Sequence, residues 1–112
     1  MNITLTDLLN IVSEASGVAV EDIVSKSRKA DITAARHLFC LFASKIKVKE
    51  EKKLFSSIEI GKAINRNHST FFCSLKTAKD LIKVRDKYFT QMFDKVVDNL
   101  TDLTDLKYEN LY

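Results

Sequence analysis

The sequence predicts an all-α domain of about five to six helices, and three observations carry that prediction. The 112 residues contain no proline and only two glycines, so little interrupts helix. Apolar residues recur at i, i+3, i+4 and i+7 through most of the chain, which is the spacing of one helix face. Hydrophobic residues make up 46% and charged residues 29%, a balance that suits a packed domain and excludes a disordered chain. Residues 1–100 read as that single domain, and the polar, aperiodic stretch 101–112 reads as a tail.

The elements follow in order. Leu5, Leu8, Leu9 and Val12 form the first apolar stripe, with Thr4 or Thr6 as the cap and Gly17 as the stop. Val20–Val24 reads as one helical turn, opened by Glu21 and Asp22. Lys26-Ser27-Arg28-Lys29 has little apolar content and reads as a loop. Asp31 is the expected cap of the next helix, whose stripe is Ala35, Leu38, Phe39, Phe42 and Ile46. Lys45, Lys47, Lys49, Lys52 and Lys53 crowd its end and the connection beyond.

A short helix near Ser57–Ile64 follows, capped by Ser56 or Ser57, with Ile58, Ala63 and Ile64 facing inward. Asn65-Arg66-Asn67 makes a tight polar turn into a longer helix that starts near His68, with Phe71, Leu75, Ala78 and Ile82 on its inner face. Two short helices joined this way are a helix-turn-helix candidate. Gly61 sits inside the first of them, where glycine costs roughly 1 kcal/mol relative to alanine, so close approach of a neighbouring helix is expected there. The last helix, about Val84–Leu100, offers Tyr88, Met92, Val96 and Leu100. Phe89, Phe93 and Val97 give it more apolar surface than one stripe needs. That surplus either packs on the chain's own core or forms the face of a homodimer.

Several classes fall away. No apolar run approaches the length of a membrane span, and the N-terminus has no secretory pattern. Cys40 and Cys73 are isolated and read as reduced core residues. With His37 and His68 they make a poor zinc set, so no metal is expected. No glycine-rich phosphate loop is present. Carboxylates are scattered, and His37 and Cys40 merely share a helix side, so an enzyme is not expected.

Charge is partitioned more sharply than its total suggests. Residues 1–25 carry four acids and no Lys or Arg. Residues 26–85 carry fifteen Lys and Arg against five acids, and residues 86–112 carry three against six. A net +3 therefore conceals a central block of +10, the electrostatic pattern of a polyanion binder.

The strings Ile3–Leu9, Val18–Lys29, Asp31-Ile32, Ala35-Arg36-His37, Ile58–Ile64 and Arg66-Asn67-His68-Ser69-Thr70 resemble, in consistent order, the C-terminal DNA-binding domain of the DnaA replication initiators. The last string is similar to the family signature Gly-Arg-Asp-His-Thr-Thr-Val. The resemblance implies a Trp-repressor-like helical fold holding a helix-turn-helix and a basic loop. It further implies sequence-specific binding of double-stranded DNA at boxes in replication origins, hence a bacterial, phage or mobile-element protein working at the nucleoid in the cytoplasm. By the same resemblance Arg28, beside Lys29, enters the minor groove, whose negative potential suits a guanidinium. Arg36 contacts phosphate near the start of its helix. Arg66, Asn67, His68, Ser69 and Thr70 belong to the turn and the recognition helix, whose first residues meet base edges. Lys45 and Lys76 add to the positive surface.

Departures are equally specific. Asn67 replaces an aspartate, Ser69 replaces a threonine, and Asn65 fills a turn that has lost the family's two glycines. The connection between Ser44 and Ser57 is longer than in a typical member and rich in lysine. The full initiator carries an ATPase module ahead of this domain, and these 112 residues beginning at Met1 hold none, so no nucleotide or other cofactor is expected. An interaction module built on a degenerate helix-turn-helix is the alternative, motivated by Asn67 and by apolar positions near Phe89 and Phe93.

Overall fold

A computed structural model of the chain describes residues 4–47, 55–103 and 107–108. Its architecture is an all-helical globule, with six helices among those residues. Helix α1 (Leu5–Ser16) is opened by Thr4, which settles the choice between two threonines. The Asp7 N–H donates to Thr4 Oγ1 at 3.0 Å, and the Thr4 N–H donates back to the Asp7 carboxylate at 3.0 Å. Gly17 ends the helix at φ 75°, a left-handed conformation natural to glycine, with its N–H on the Ser13 carbonyl. A single turn, α2 (Val20–Ile23), follows, with Glu21 and Asp22 at its positive end.

Helix α3 (Ala30–Lys45) begins one residue earlier than its expected cap. The Thr33 N–H bonds to the Lys29 carbonyl, so Asp31 lies inside the first turn, its carboxylate accepting from the Ile32 N–H. Its packing departs from the single stripe. Ile32, Ala35, Arg36 and every residue from Leu38 to Ser44 are buried, and the helix touches all five others. After α3 a two-residue strand, β1 (Ile46–Lys47), stands in place of further helix. Lys49, Lys52 and Lys53 lie outside the described residues.

Helix α4 (Ser57–Ala63) is capped by Ser56, again reciprocally with the residue three positions on, Glu59. Ile60 and Ile64 are buried, whereas Ile58 is 58% exposed and does not face inward as its spacing suggested. Helix α5 (His68–Lys83) lays Phe71, Ser74, Ala78 and Ile82 on α3 and α4. Helix α6 (Lys87–Leu103) starts after a break at Arg85, with the Phe89 N–H on the Asp86 carboxylate. It runs three residues beyond Leu100, and strand β2 (Lys107–Tyr108) then pairs antiparallel with β1, Ile46 opposite Tyr108.

Four apolar side chains of α6 pack inside the chain. Phe89, Met92, Phe93 and Val96 are all buried, and the Phe93 ring meets Phe42 of α3 at 4.9 Å between centroids. This removes the basis for a dimer face on α6 and for a docking surface at Phe89 and Phe93. Tyr88, expected in the core, is 47% exposed instead.

Two helix ends carry the same terminal motif without glycine. After α4, Asn65 at φ 59° donates to the Lys62 carbonyl while Arg66 donates to the Gly61 carbonyl. After α5, Arg85 at φ 56° donates to the Ile82 carbonyl while Asp86 donates to the Leu81 carbonyl. Both are Schellman ends, in which the left-handed residue is usually glycine. Asparagine tolerates that conformation, but arginine carries a steric cost of roughly 1–2 kcal/mol. Arg85→Gly should therefore raise unfolding stability by about 1 kcal/mol in urea denaturation. Gly61→Ala should lower it by roughly 1–3 kcal/mol, because the added Cβ would lie 2.8 Å from the Arg66 carbonyl oxygen. The close neighbour of Gly61 is thus the turn backbone, not another helix.

Candidate nucleic-acid interface

The turn between α4 and α5 is closed by local hydrogen bonds. The Arg66 N–H reaches the Gly61 carbonyl at 2.8 Å, which is possible because Gly61 has no side chain to hold the chain away. Asn67 then caps α5, its Oδ1 accepting from the Thr70 N–H at 2.9 Å. An aspartate caps in the same way, so the departure from the family signature at this position preserves the helix start. The cap engages the oxygen that base reading by Asn67 would use. Ser69 stands exposed in the first turn and Thr70 is half-buried. His68 is the first residue of α5, and its side chain lies outside the described residues.

The basic loop is ordered by its own serines. Ser25 Oγ donates to the Asp22 carbonyl at 2.6 Å and accepts from the Ser27 N–H, and Ser27 Oγ accepts from the Lys29 N–H. The segment alternates. Carbonyls of Ile23, Ser25 and Ser27 turn inward to arginine, while the side chains of Lys26 and Arg28 are exposed. Lys29 is exposed as well.

Arg36 receives those carbonyls. Its Nε donates to Ile23 at 2.9 Å, one terminal nitrogen to Ser27 at 3.2 Å and the other to Ser25 at 2.9 Å. The side chain is only 6% exposed and is held by the loop backbone, at a position where the resemblance implies a phosphate contact. Burial, and next the positive charge of Arg66, lower its pKa, but an arginine stays protonated throughout. Arg66 approaches from the turn, donating to the same Ser25 carbonyl at 2.8 Å and to the Asn65 carbonyl at 3.1 Å. Arginines 36 and 66 thus meet on one oxygen.

Along α5 the outer arc presents Ser69, Phe72, Cys73, Lys76, Lys79, Asp80 and Lys83, all exposed. Phe72 is 52% exposed, its ring edge-on to Phe71 at 5.0 Å. Neither Phe72 nor Cys73 was among the expected site residues, and Cys73 is not the core residue that its isolation suggested. The signal that could have found them is their place three and four residues after Ser69, on the arc of Lys76. Lys45 is half-buried at the end of α3. Lys62 stands exposed beside the turn, where it lines an open cleft with Ile58, Asn65, Arg66 and Asn67.

The basic loop is thus hydrogen-bonded to the turn between α4 and α5. Residues 5–77 match the family model of the bacterial DnaA protein helix-turn-helix. The chain belongs to that family. The match spans α1 through the first ten residues of α5, so both the basic loop and the turn lie within it. The family is a DNA-binding one. No curated protein matches the chain.

Two further titratable groups are perturbed by burial. Burial pushes the Cys40 thiol up to about 12, against a lowering by the Ser74 hydroxyl and Arg36. Among the described residues no three His, Cys, Asp or Glu side chains gather as metal ligands, and no helix is long and apolar enough to cross a membrane. His37 is half-buried, with Nδ1 unpartnered, and its pKa is lowered by burial and then by Arg36. The folded state therefore favours the neutral ring, and the unfolded chain takes up a proton first as pH falls. Its contribution is intact above the unfolded value of about 6.5 and is lost below it. Urea denaturation should show stability falling from pH 7.5 to 5.5, about the two sides of that value, and His37→Gln should flatten the decline. An unchanged decline in the variant would assign the effect to another group.

Proposed function

We propose that the chain binds double-stranded DNA sequence-specifically, at DnaA-box-like sites, in replication initiation or its regulation. The observation that carries this reading is the Ser25 carbonyl held by Arg66, which ties the exposed cations of the basic loop to the start of α5. Arg28, with Lys29 beside it, enters the minor groove, and His68, Ser69 and Thr70 meet base edges in the major groove. Asn67 starts the helix that carries them. Lys45 and Lys76 supply attraction to phosphate, and the central +10 block gives the chain a strongly salt-dependent affinity. Recognition of this kind is non-catalytic, and it suits a protein of a bacterium, a phage or a mobile element acting at the nucleoid. A protein-docking role for the helix-turn-helix, motivated by Asn67 and by apolar positions near Phe89 and Phe93, loses support from the burial of those two rings and from the cap that Asn67 makes.

Fluorescence anisotropy with box and scrambled duplexes tests the reading. Box DNA should bind more tightly, and with some six phosphates engaged its affinity should fall about 10³-fold between about 50 and 200 mM salt. Arg28→Ala and His68→Ala should each cost roughly 1–3 kcal/mol on box DNA. Equal affinity for both duplexes at moderate salt rejects sequence-specific binding.

A second measurement uses the native thiols. Cys73 is exposed, whereas Cys40 is buried and its thiol is pushed up to about 12, so a maleimide should label Cys73 alone. Box DNA should protect Cys73, and a bulky adduct there should abolish box binding. Undiminished binding by the labelled protein would place the outer arc of α5 away from the groove.

A further inference from the structure

We propose that Arg36 and Arg66 are positioning residues that lock the basic loop to the recognition helix, so that the minor and major grooves are read in one fixed register. The proposal rests on the DNA-reading function above and deepens it by naming what sets the distance between the two reading elements.

The geometry is specific. A carbonyl oxygen has two lone pairs, and that of Ser25 accepts one charged N–H from α3 and one from the turn. Arg66 lies 41 residues from Ser25, so this is a tertiary clamp and not local loop structure. The carbonyls of Ile23 and Ser27 are taken by the same Arg36, leaving the segment that carries Lys26 and Arg28 little freedom to shift along the surface. The Arg66 guanidinium also bonds its own turn at the Asn65 carbonyl, one residue before Asn67 caps α5. A chain of hydrogen bonds therefore runs from the residue before Arg28's flanks to the first turn of the recognition helix. Only a forked, planar donor can bridge this way, since a lysine ammonium lacks the fixed spacing of two or three nitrogens.

The chemistry of the acceptors favours the same role. Among the described residues, every acceptor of these two arginines is a backbone carbonyl and none is a carboxylate. Carbonyls satisfy the N–H groups without cancelling the charge. Both positive charges thus stay beneath the loop, where an acidic partner would instead have weakened attraction to phosphate. The two guanidinium charges repel, and after burial the charge of Arg66 is the next cause lowering the Arg36 pKa. Holding two like charges on one oxygen makes little sense for stability alone, because apolar packing would fill the space at lower electrostatic cost.

The test uses Arg36→Lys and Arg66→Lys in the full chain, which keep the charge and remove the fork. In DNA-free protein, amide exchange at Ser27 and Lys29 should quicken by about tenfold while α1 and α6 stay protected. Affinity for box DNA should drop by about tenfold, scrambled DNA should change by less than about twofold, and the slope of log K against log salt should hold. A uniform loss on both duplexes with the slope smaller by about one would make these arginines phosphate contacts and overturn the proposal. Unchanged loop exchange in Arg66→Lys would overturn it as well. Should Arg36→Lys fail to fold, Arg66→Lys, altered in a half-buried turn, carries the test. If the unmodified chain shows no box preference, the DNA-reading function itself fails, and the exchange measurement still decides whether the clamp exists.

Discussion

A helix that is covered on nearly every side dictates most of this structure. α3 buries Ile32, Ala35, Arg36 and the whole run from Leu38 to Ser44, so the remaining five helices must all contact it. In a chain of 112 residues that leaves each of the others one face to spend on the core and one face for solvent. Large and small residues alternate to let this happen. Phe39 and Phe42 fill volume, Phe42 against Phe93, while Ala35, Cys40 and Ala43 allow neighbouring backbones to approach. The recognition helix α5 inherits its position from that arrangement, because its inner face of Phe71, Ser74 and Ala78 has no other surface on which to lie. Its outer face is then determined by elimination.

How much of this was legible follows from the kind of signal each residue gives. Capping is chemistry confined to four residues, so the chain offered Gly17 as a stop and narrowed two caps to pairs, Thr4 or Thr6 and Ser56 or Ser57, of which the structure selects Thr4 and Ser56. The turn, the basic loop and the start of α5 were legible for the same reason, being short strings of polar residues with distinctive types. Periodicity gave helices but assigned faces less well. Ile58 and Tyr88 are spaced like core residues, yet each is the second residue of its helix and is exposed. Arg36 was assigned to phosphate by resemblance, and its burial is not something that its charge suggests. Nothing local discloses that three carbonyls lie above it, since they come from a segment up to 13 residues away. Cys73 was misplaced by the opposite rule, an isolated thiol being commonly buried.

The departures from the family signature become coherent in this light. Asn65 takes a left-handed conformation in a turn that lacks glycine, and Asn67 does the capping that an aspartate would do. Both substitutions are neutral for geometry. Only the second changes charge, since an asparagine cap in place of an aspartate removes a negative group from the tip of α5. The same preference recurs beneath the loop, where arginines 36 and 66 are satisfied by carbonyls instead of carboxylates. At two adjoining places the chain satisfies polar groups with neutral partners and leaves positive potential uncancelled.

That choice has a structural consequence as well as an electrostatic one. Carboxylates reside on side chains with rotatable bonds, whereas the Ile23, Ser25 and Ser27 carbonyls are part of the loop's own backbone. An arginine that grips a carboxylate fixes one side chain, but an arginine that grips three successive inward carbonyls fixes the path of the chain between them. Lys26, which lies between two of those carbonyls, and Arg28, which directly follows the last, are exposed residues on a constrained backbone. Groove recognition needs this combination, since the reach of a guanidinium tolerates small differences in DNA shape only when its point of attachment does not drift. The fold places that point of attachment one hydrogen-bonded oxygen away from the turn that starts the recognition helix.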